Sequence, residues 1–324
     1  MSAKIETLRP QRPRPQAFGL AAVVAELRHS RDVAHNIRLG GKVTEAPSAS
    51  AIAEALDGIV MSLFPIHLGP HGLNHESIDL FVTNTLSTSL ARLADQVARG
   101  LQFERSGLSP AEAQHRAEKT VHGLARQLPP IRALLVSDLK AAQRHDASAE
   151  SLAEVLICYP SSRAIIHHRL AHALYRLGAR FVARIIAALA RATTGIDIHP
   201  GARIGRGFFI SRGMGVTVGE TAVIGENVCL HQGVTLGESE AQPPNASARR
   251  LLRHPIIEDR VIVHGGASIL GRITIGAGSI IGGNVWLTRS VPPGSAVTHT
   301  DHTVSTIQSL DRVRGAAAWS GRVK

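Results

Sequence analysis

Aromatic residues make up only 3% of the 324-residue chain, cysteines number two, and no run of 18 apolar residues occurs. Each scarcity excludes something. Phe, Tyr and Trp usually dominate a globular core. Here a 44% hydrophobic chain must fill its core with Ala, Val, Ile and Leu, which suits long helices and narrow repeated coils. Cys158 and Cys229 are far apart, so neither a disulfide framework nor a cysteine metal signature is expected. A reduced, cytoplasmic setting is the default. Without a long apolar run no membrane span is expected, and the first residues lack the apolar segment of a secretion signal. Acidic residues are the minority: 36 Lys and Arg against 25 Asp and Glu give a formal charge of +11. Such a balance admits nucleic acid, a membrane surface or an anionic small ligand. The charge is spread along the chain, however, and no zinc-finger or aromatic-interleaved pattern accompanies it. A solvated basic surface is expected, with neither nucleic acid nor membrane as partner.

What is present divides the chain. Residues 1–17 are rich in Arg and Pro and read as a disordered basic tail. Residues 18–194 have helical texture. Ile78, Val82, Leu86, Leu90, Leu93 and Val97 recur at spacings of three and four, one face of a helix. Ser109-Pro110-Ala111-Glu112 is a helix start, with Ser as cap, Pro at the first position and an acid in the first turn. Another helical run covers Ser148 to Leu156, Tyr159-Pro160 breaks it, and a pair follows from Ser161 to Ala192 with Gly178 as the joint. His167, His168 and His172 have a spacing open to metal, but no acidic partner accompanies them. A helix-face reading is preferred and no metal is expected.

At Gly195 the period becomes six. Ile198, Ile204, Ile210, Val216, Ala222, Val228 and Val234 are all aliphatic, and the series resumes at Ile257, Val263, Ile269, Ile275, Ile281 and Leu287. A second row runs through Val218, Ile224, Leu230 and Leu236. Such a repeat is a solenoid: each unit is a short strand and a turn, and three units close one triangular coil of 18 residues. A coil so narrow should exclude aromatics. The fold class is therefore α+β: an N-terminal α-helical domain (18–194), then a parallel β-helix of hexapeptide repeats (195–297), then a C-terminal tail (298–324). A long polar loop, 237–256, is ejected from the coil, and loops of that length are usually functional.

Several segments resemble the serine O-acetyltransferase family of hexapeptide-repeat acyltransferases. They are Gly195 to Ile210, Val218-Gly-Glu-Thr-Ala222, Gln232-Gly-Val-Thr-Leu-Gly237, Arg253-His254-Pro255 and the helical Arg169 to Tyr175. The resemblance covers about residues 140–297. It implies a left-handed coil, a homotrimer or dimer of trimers with sites between adjacent coils, and transfer of acetyl from acetyl-CoA, as co-substrate, to the hydroxyl of L-serine in cysteine biosynthesis.

Residue by residue, the resemblance makes Asp197 the acid of the family's catalytic His–Asp pair. The His falls on Arg212, and the Asp before it, which holds serine, falls on Ser211. Arginine stays protonated and is no general base. Arg212 could clamp a carboxylate or a CoA phosphate, could fill a vacated site, or could be a plain surface residue. Arg253 and His254 match the pair that contacts the serine carboxylate, and Asp146 matches an acid from the helical domain that holds serine. Gly265, Ala267 and Gly283 match small residues along the CoA path. Catalytic candidates are thus Asp197, His254 and Arg212, and substrate-binding candidates Asp146, Arg253 and Ser211. His231 and His264 are alternative bases, although an 18-residue coil stacks residue 230 on Arg212 and turns His231 away. His199 reads as a turn residue. Two further readings stay open: an O-acyltransferase with a different acceptor, or a lapsed trimeric scaffold. The family's C-terminal Ile, used to bind the sulfhydrylase of the next step, is absent from Gly321-Arg-Val-Lys324, so that partnership is not expected.

Overall fold

The computed structural model describes residues 20–34, 45–104, 107–239, 251–299 and 305–309. The expected basic tail and the last residues lie outside them. The chain forms two compact units, residues 1–43 and 44–324. In the first, helix α1 (Leu20–His29) runs into one π turn, Ser30–Ala34, and buries no side chain.

The second unit holds helices and coil together. Its helices are α2 (Ala49–Leu63), α3 (Pro65–Leu68), α4 (His75–Glu104), α5 (Pro110–His145), α6 (Leu152–Cys158), α7 (Pro160–Arg176) and α8 (Arg180–Thr194). The α5 start is the expected one: Ser109 Oγ accepts from Glu112 N–H, and the Glu112 carboxylate accepts from Ser109 N–H at 3.1 Å, a reciprocal capping box. Tyr159-Pro160 separates α6 from α7, with Pro at the first position of α7. Gly178, at φ 95°, is the α7–α8 joint. Gly195, at φ 69°, caps α8 in the left-handed region, where only glycine avoids a Cβ penalty. No helix among the described residues is long and apolar enough to cross a membrane.

From Asp197 the chain coils. Three parallel ladders form the sides: β1 (Asp197–Ile198), β4 (Thr217–Val218), β7 (Thr235–Gly237), β10 (Ser268–Leu270) and β13 (Trp286–Leu287) on side A; β2 (Arg203–Ile204), β5 (Val223–Ile224), β8 (Ile256–Ile257) and β11 (Thr274–Ile275) on side B. Side C holds β3 (Phe209–Ser211), β6 (Cys229–His231), β9 (Ile262–Val263), β12 (Ile280–Ile281) and β14 (Ser295–His299). An antiparallel strand, β15 (Ser305–Ser309), pairs with β14 and ends side C.

The stacking register differs from a strict period of six. Ile198 pairs with Val218 and Ile210 with Leu230, each 20 residues on. Val218 pairs with Leu236, and Ile257 with Ile275, each 18 on. Two extra residues therefore sit in the corner between β3 and β4, where Arg212, Gly213 and Gly215 take φ of 58°, 44° and 79°. The row at Val218, Ile224, Leu230 and Leu236 is thus the continuation of Ile198, Ile204 and Ile210. Val216, Ala222, Val228 and Val234 form a second inner row, and all eight residues from 216 to 236 are at most 2% exposed.

The exclusion of aromatics fails at one place. Phe208, in the row of Val228, is fully buried. It lies in the first coil, which has a coil on one side only. Phe209, also buried, points off side C instead and lines a small cavity with Leu135, Leu139 and Ile166 of α5 and α7.

An ion pair joins helices to coil. Arg169 on α7 donates to both carboxylate oxygens of Asp138 on α5, at 3.0 Å, and to the carbonyls of Ile204 and Gly205 at the end of β2. Asp138 in turn accepts from Phe208 N–H at 2.9 Å. Both side chains are about 5% exposed, and every charged atom has a partner, the condition a buried pair needs. Burial still pushes the Asp138 carboxyl up to about 6 against the pull of Arg169.

Candidate active site

The candidates fall into two groups at different corners of the coil. The first lines a cleft of about 340 Å³ between α8 and the corner joining sides A and B. Its walls include Arg191, Asp197, His199, Glu220, Arg253 and His254.

Arg253 and His254 are the returning end of the ejected loop, and the corner residue Thr221 fixes them. Its Oγ1 accepts from the backbone N–H of both, at 3.0 and 3.1 Å. The Arg253 guanidinium is held on two sides, Nη2 by Glu220 at 2.9 Å and Nε by Glu238 at 2.7 Å. Glu220 also accepts from the Tyr175 hydroxyl at 2.8 Å. Hydrogen bonds from Tyr175 and Arg253 outweigh burial and hold Glu220 below the usual carboxylate range. The third nitrogen, Nη1 of Arg253, is shut from solvent and has no hydrogen-bond partner among the described residues.

His254 is buried, and its Nδ1 accepts from Thr221 N–H at 3.1 Å. That bond fixes the tautomer of the neutral ring: the proton sits on Nε2. Burial first, and the Arg253 charge second, push its pKa down to about 4. Near neutral pH, His254 is therefore a hydrogen-bond donor through Nε2, and a general base is the one role its tautomer denies it. Its ring lies against Gly219, where any Cβ would overlap the imidazole. Asp197 is paired with Arg191 on α8 at 3.3 Å, in place of a histidine. His199 Nδ1 accepts from Gly201 N–H at 3.0 Å, a turn contact.

The second group gathers where side C turns into side A. Asp146, the C-cap of α5, accepts from the Ser148 hydroxyl at 2.6 Å, from Ser148 N–H at 3.0 Å and from the Tyr159 hydroxyl at 2.8 Å. Those bonds, with the charge of Arg212 nearby, hold its carboxyl below the usual range. Ser211 and Arg212 end β3, and Ser211 lies opposite His231 on the next coil. The 18-residue spacing that turned His231 away does not apply, because the first coil is two residues longer. His231 stacks on His264 with ring centroids 4.9 Å apart. Gly265 and Gly283 continue the corner beyond His264, with the Gly265 carbonyl accepting from Asn284 N–H at 2.9 Å. Ala267 is fully buried in the coil, its carbonyl accepting from Thr235 N–H at 2.9 Å, so it supports the corner from inside and is not open to a ligand.

Elsewhere, His172 Nδ1 contacts the Pro200 carbonyl at 2.9 Å, and His168 is buried. No three of His, Cys, Asp and Glu gather as a metal would need among the described residues. Sequence reasoning did not single out Glu220, Thr221, Tyr175 or Glu238. The first three lie inside the quoted segments Val218–Ala222 and Arg169–Tyr175, but only the fold brings them to Arg253.

Helices leading into a left-handed coil of six-residue repeats, with a guarded guanidinium beside the coil, define a hexapeptide-repeat acyltransferase. No protein-family model matches the chain. The chain is 43% identical over 292 residues to "Serine acetyltransferase, plasmid" of Synechococcus elongatus, covering 87% of this chain and 91% of that one. It is 45% identical over 160 residues to the serine acetyltransferase of Mycobacterium tuberculosis, 49% of this chain and 67% of that one. Among solved structures, serine acetyltransferase isoform 3 of Entamoeba histolytica in complex with cysteine superposes with a TM-score of 0.66 at 29% identity, over 92% of this chain and 97% of that one. The chain belongs to the serine acetyltransferase family.

Proposed function

We propose that this chain transfers the acetyl group of acetyl-CoA to the hydroxyl of L-serine, the acyl transfer that opens cysteine biosynthesis. The observation that carries the reading is Arg253 Nη1. No described residue engages this buried donor; a buried charged donor without a partner costs on the order of 1–3 kcal/mol or more, and a carboxylate that meets it removes that cost. Glu220 and Glu238 fix the other two nitrogens, so the guanidinium is pre-aimed at an α-carboxylate. His254 Nε2–H is a second donor in the same cleft. The intact clamp and the 43% identity to a serine acetyltransferase favour serine transfer over a lapsed scaffold.

In this reading the chain is a trimer. One copy holds the acceptor at Arg253 and His254, and the corner of its neighbour brings Asp146 to the amino group and Ser211 to the hydroxyl. Acetyl-CoA lies along Gly265 and Gly283 of that corner. Two free thiols, one buried and raised to about 12 by burial, accord with a reducing cytoplasm.

Thiol release from acetyl-CoA, followed against L-serine concentration, tests the assignment. The parent should turn over, and Arg253→Lys, which keeps the charge but loses the fork, should raise the serine KM roughly tenfold or more. A parent inactive with serine, or an unchanged KM in the variant, contradicts it.

A further inference from the structure

An acyl transfer to a hydroxyl needs a group that takes the hydroxyl proton, and the three catalytic candidates of the sequence do not supply one. Arg212 is permanently charged. His254 carries its proton on the nitrogen that it could offer. Asp197 is half exposed and engaged with Arg191.

The corner that holds Ser211 offers another group. Ser211 and His231 are direct partners in a parallel ladder, so their side chains leave the coil on the same face, one strand spacing of about 4.8 Å apart. His231 is half-buried, and no hydrogen bond engages its ring nitrogens among the described residues. Its back rests on the His264 ring, which fixes its plane and leaves the ring edge free. The titratable and charged groups around it are His264, His145 of α5 and Arg212, and Asp146 faces Arg212 in turn. Burial first, and these neighbours second, lower its pKa and hold the imidazole neutral. A neutral imidazole near the Arg212 guanidinium is a proton acceptor next to a group that can stabilise an anion.

We propose that His231, one coil beyond Ser211, is the general base of the acetyl transfer, resting on the acyl-transfer reading above. A ring nitrogen takes the serine hydroxyl proton as the oxygen forms its bond to the thioester carbonyl carbon. Arg212 faces the oxyanion. The C–S bond then breaks, and the CoA thiolate leaves with the proton returned from the imidazolium. The products are the acetyl ester and free CoA thiol.

The test uses the full chain with acetyl-CoA and a panel of L-serine, L-homoserine and L-threonine. His231→Ala and the near-isosteric His231→Gln should each lose roughly 100-fold or more in kcat, with the acceptor KM changed by no more than about threefold. Added imidazole should restore turnover to His231→Ala in proportion to its concentration and leave the parent unchanged, which a merely structural ring would not allow. Either variant keeping more than about a third of the parental kcat overturns the proposal. So does a loss that imidazole does not rescue while circular dichroism and assembly match the parent. Turnover of a different acceptor by the parent overturns the serine reading alone, and His231 is then judged on that acceptor. A parent that acetylates nothing in the panel overturns both.

Discussion

At the scale of single residues, the cleft works through constraint more than through unusual side chains. Thr221 fixes the backbone of Arg253 and His254 and the tautomer of the imidazole. Glu220 and Glu238 hold two nitrogens of Arg253 and leave the buried third without a partner among the described residues. Gly219 makes the room in which His254 sits, since a methyl there would overlap the ring. Gly219→Ala should therefore displace the Nε2 donor while β4 and the coil interior stay intact. A displacement of about 1 Å at a reacting site can cost ~100-fold in rate. The expected outcome is a large loss of kcat/KM for serine with an unaltered circular dichroism spectrum, and undiminished kcat/KM would show that His254 takes no part. Arg253, His254 and Asp146 were legible as a family motif. Their partners were not, because Tyr175 and Glu220 are 45 residues apart and a local pattern carries no information about such a contact. Glu238, at the start of the loop, takes its role from the ion pair with Arg253.

At the scale of elements, the six-residue period was readable because each coil presents an aliphatic residue inward at fixed intervals. What escaped was a frame shift. The corner from Arg212 to Gly215 adds two residues without breaking the aliphatic texture, since both inner rows are aliphatic and either one continues the series. Only strand pairing distinguishes them, and the shift carries His231 to the position beside Ser211. The Asp138–Arg169 pair was equally hidden, two charged residues 31 apart on faces otherwise apolar. The unit of residues 44–324 has a measurable pH signature. His167 and His254 have pKa values lowered to about 4, and buried His168 lies well below its usual 6.5. Their contribution is fully present above pH 6.5 and is lost as pH falls toward 4, because the unfolded chain takes up the protons first. Asp138, raised to about 6, acts oppositely and gains as pH falls through 6 toward 3.8. The histidines outnumber it, so unfolding free energy should fall by about 2–4 kcal/mol between pH 7 and pH 5. Urea titrations at the two pH values measure this, and equal or greater stability at pH 5 would contradict the buried, neutral histidines.

At the scale of the whole molecule, the two groups of site residues sit at different corners of one coil. Arg253 and His254 face α8 across their cleft, whereas Asp146, Ser211 and His231 share the corner at the end of side C. In the proposed trimer the first corner of one copy would meet the second corner of the next. The site would then belong to the interface, and no single copy would contain all of it. This arrangement is tested most directly by mixing two damaged chains. Arg253→Gln and His231→Ala homotrimers should each be nearly inactive. If they are co-assembled in equal amounts, about a quarter of the sites take an intact Arg253 from one copy and an intact His231 from its neighbour, by random mixing in a closed ring. Thiol release with L-serine should return to roughly that fraction of the parental rate. Mixed trimers no more active than either variant alone would contradict a site built from two copies.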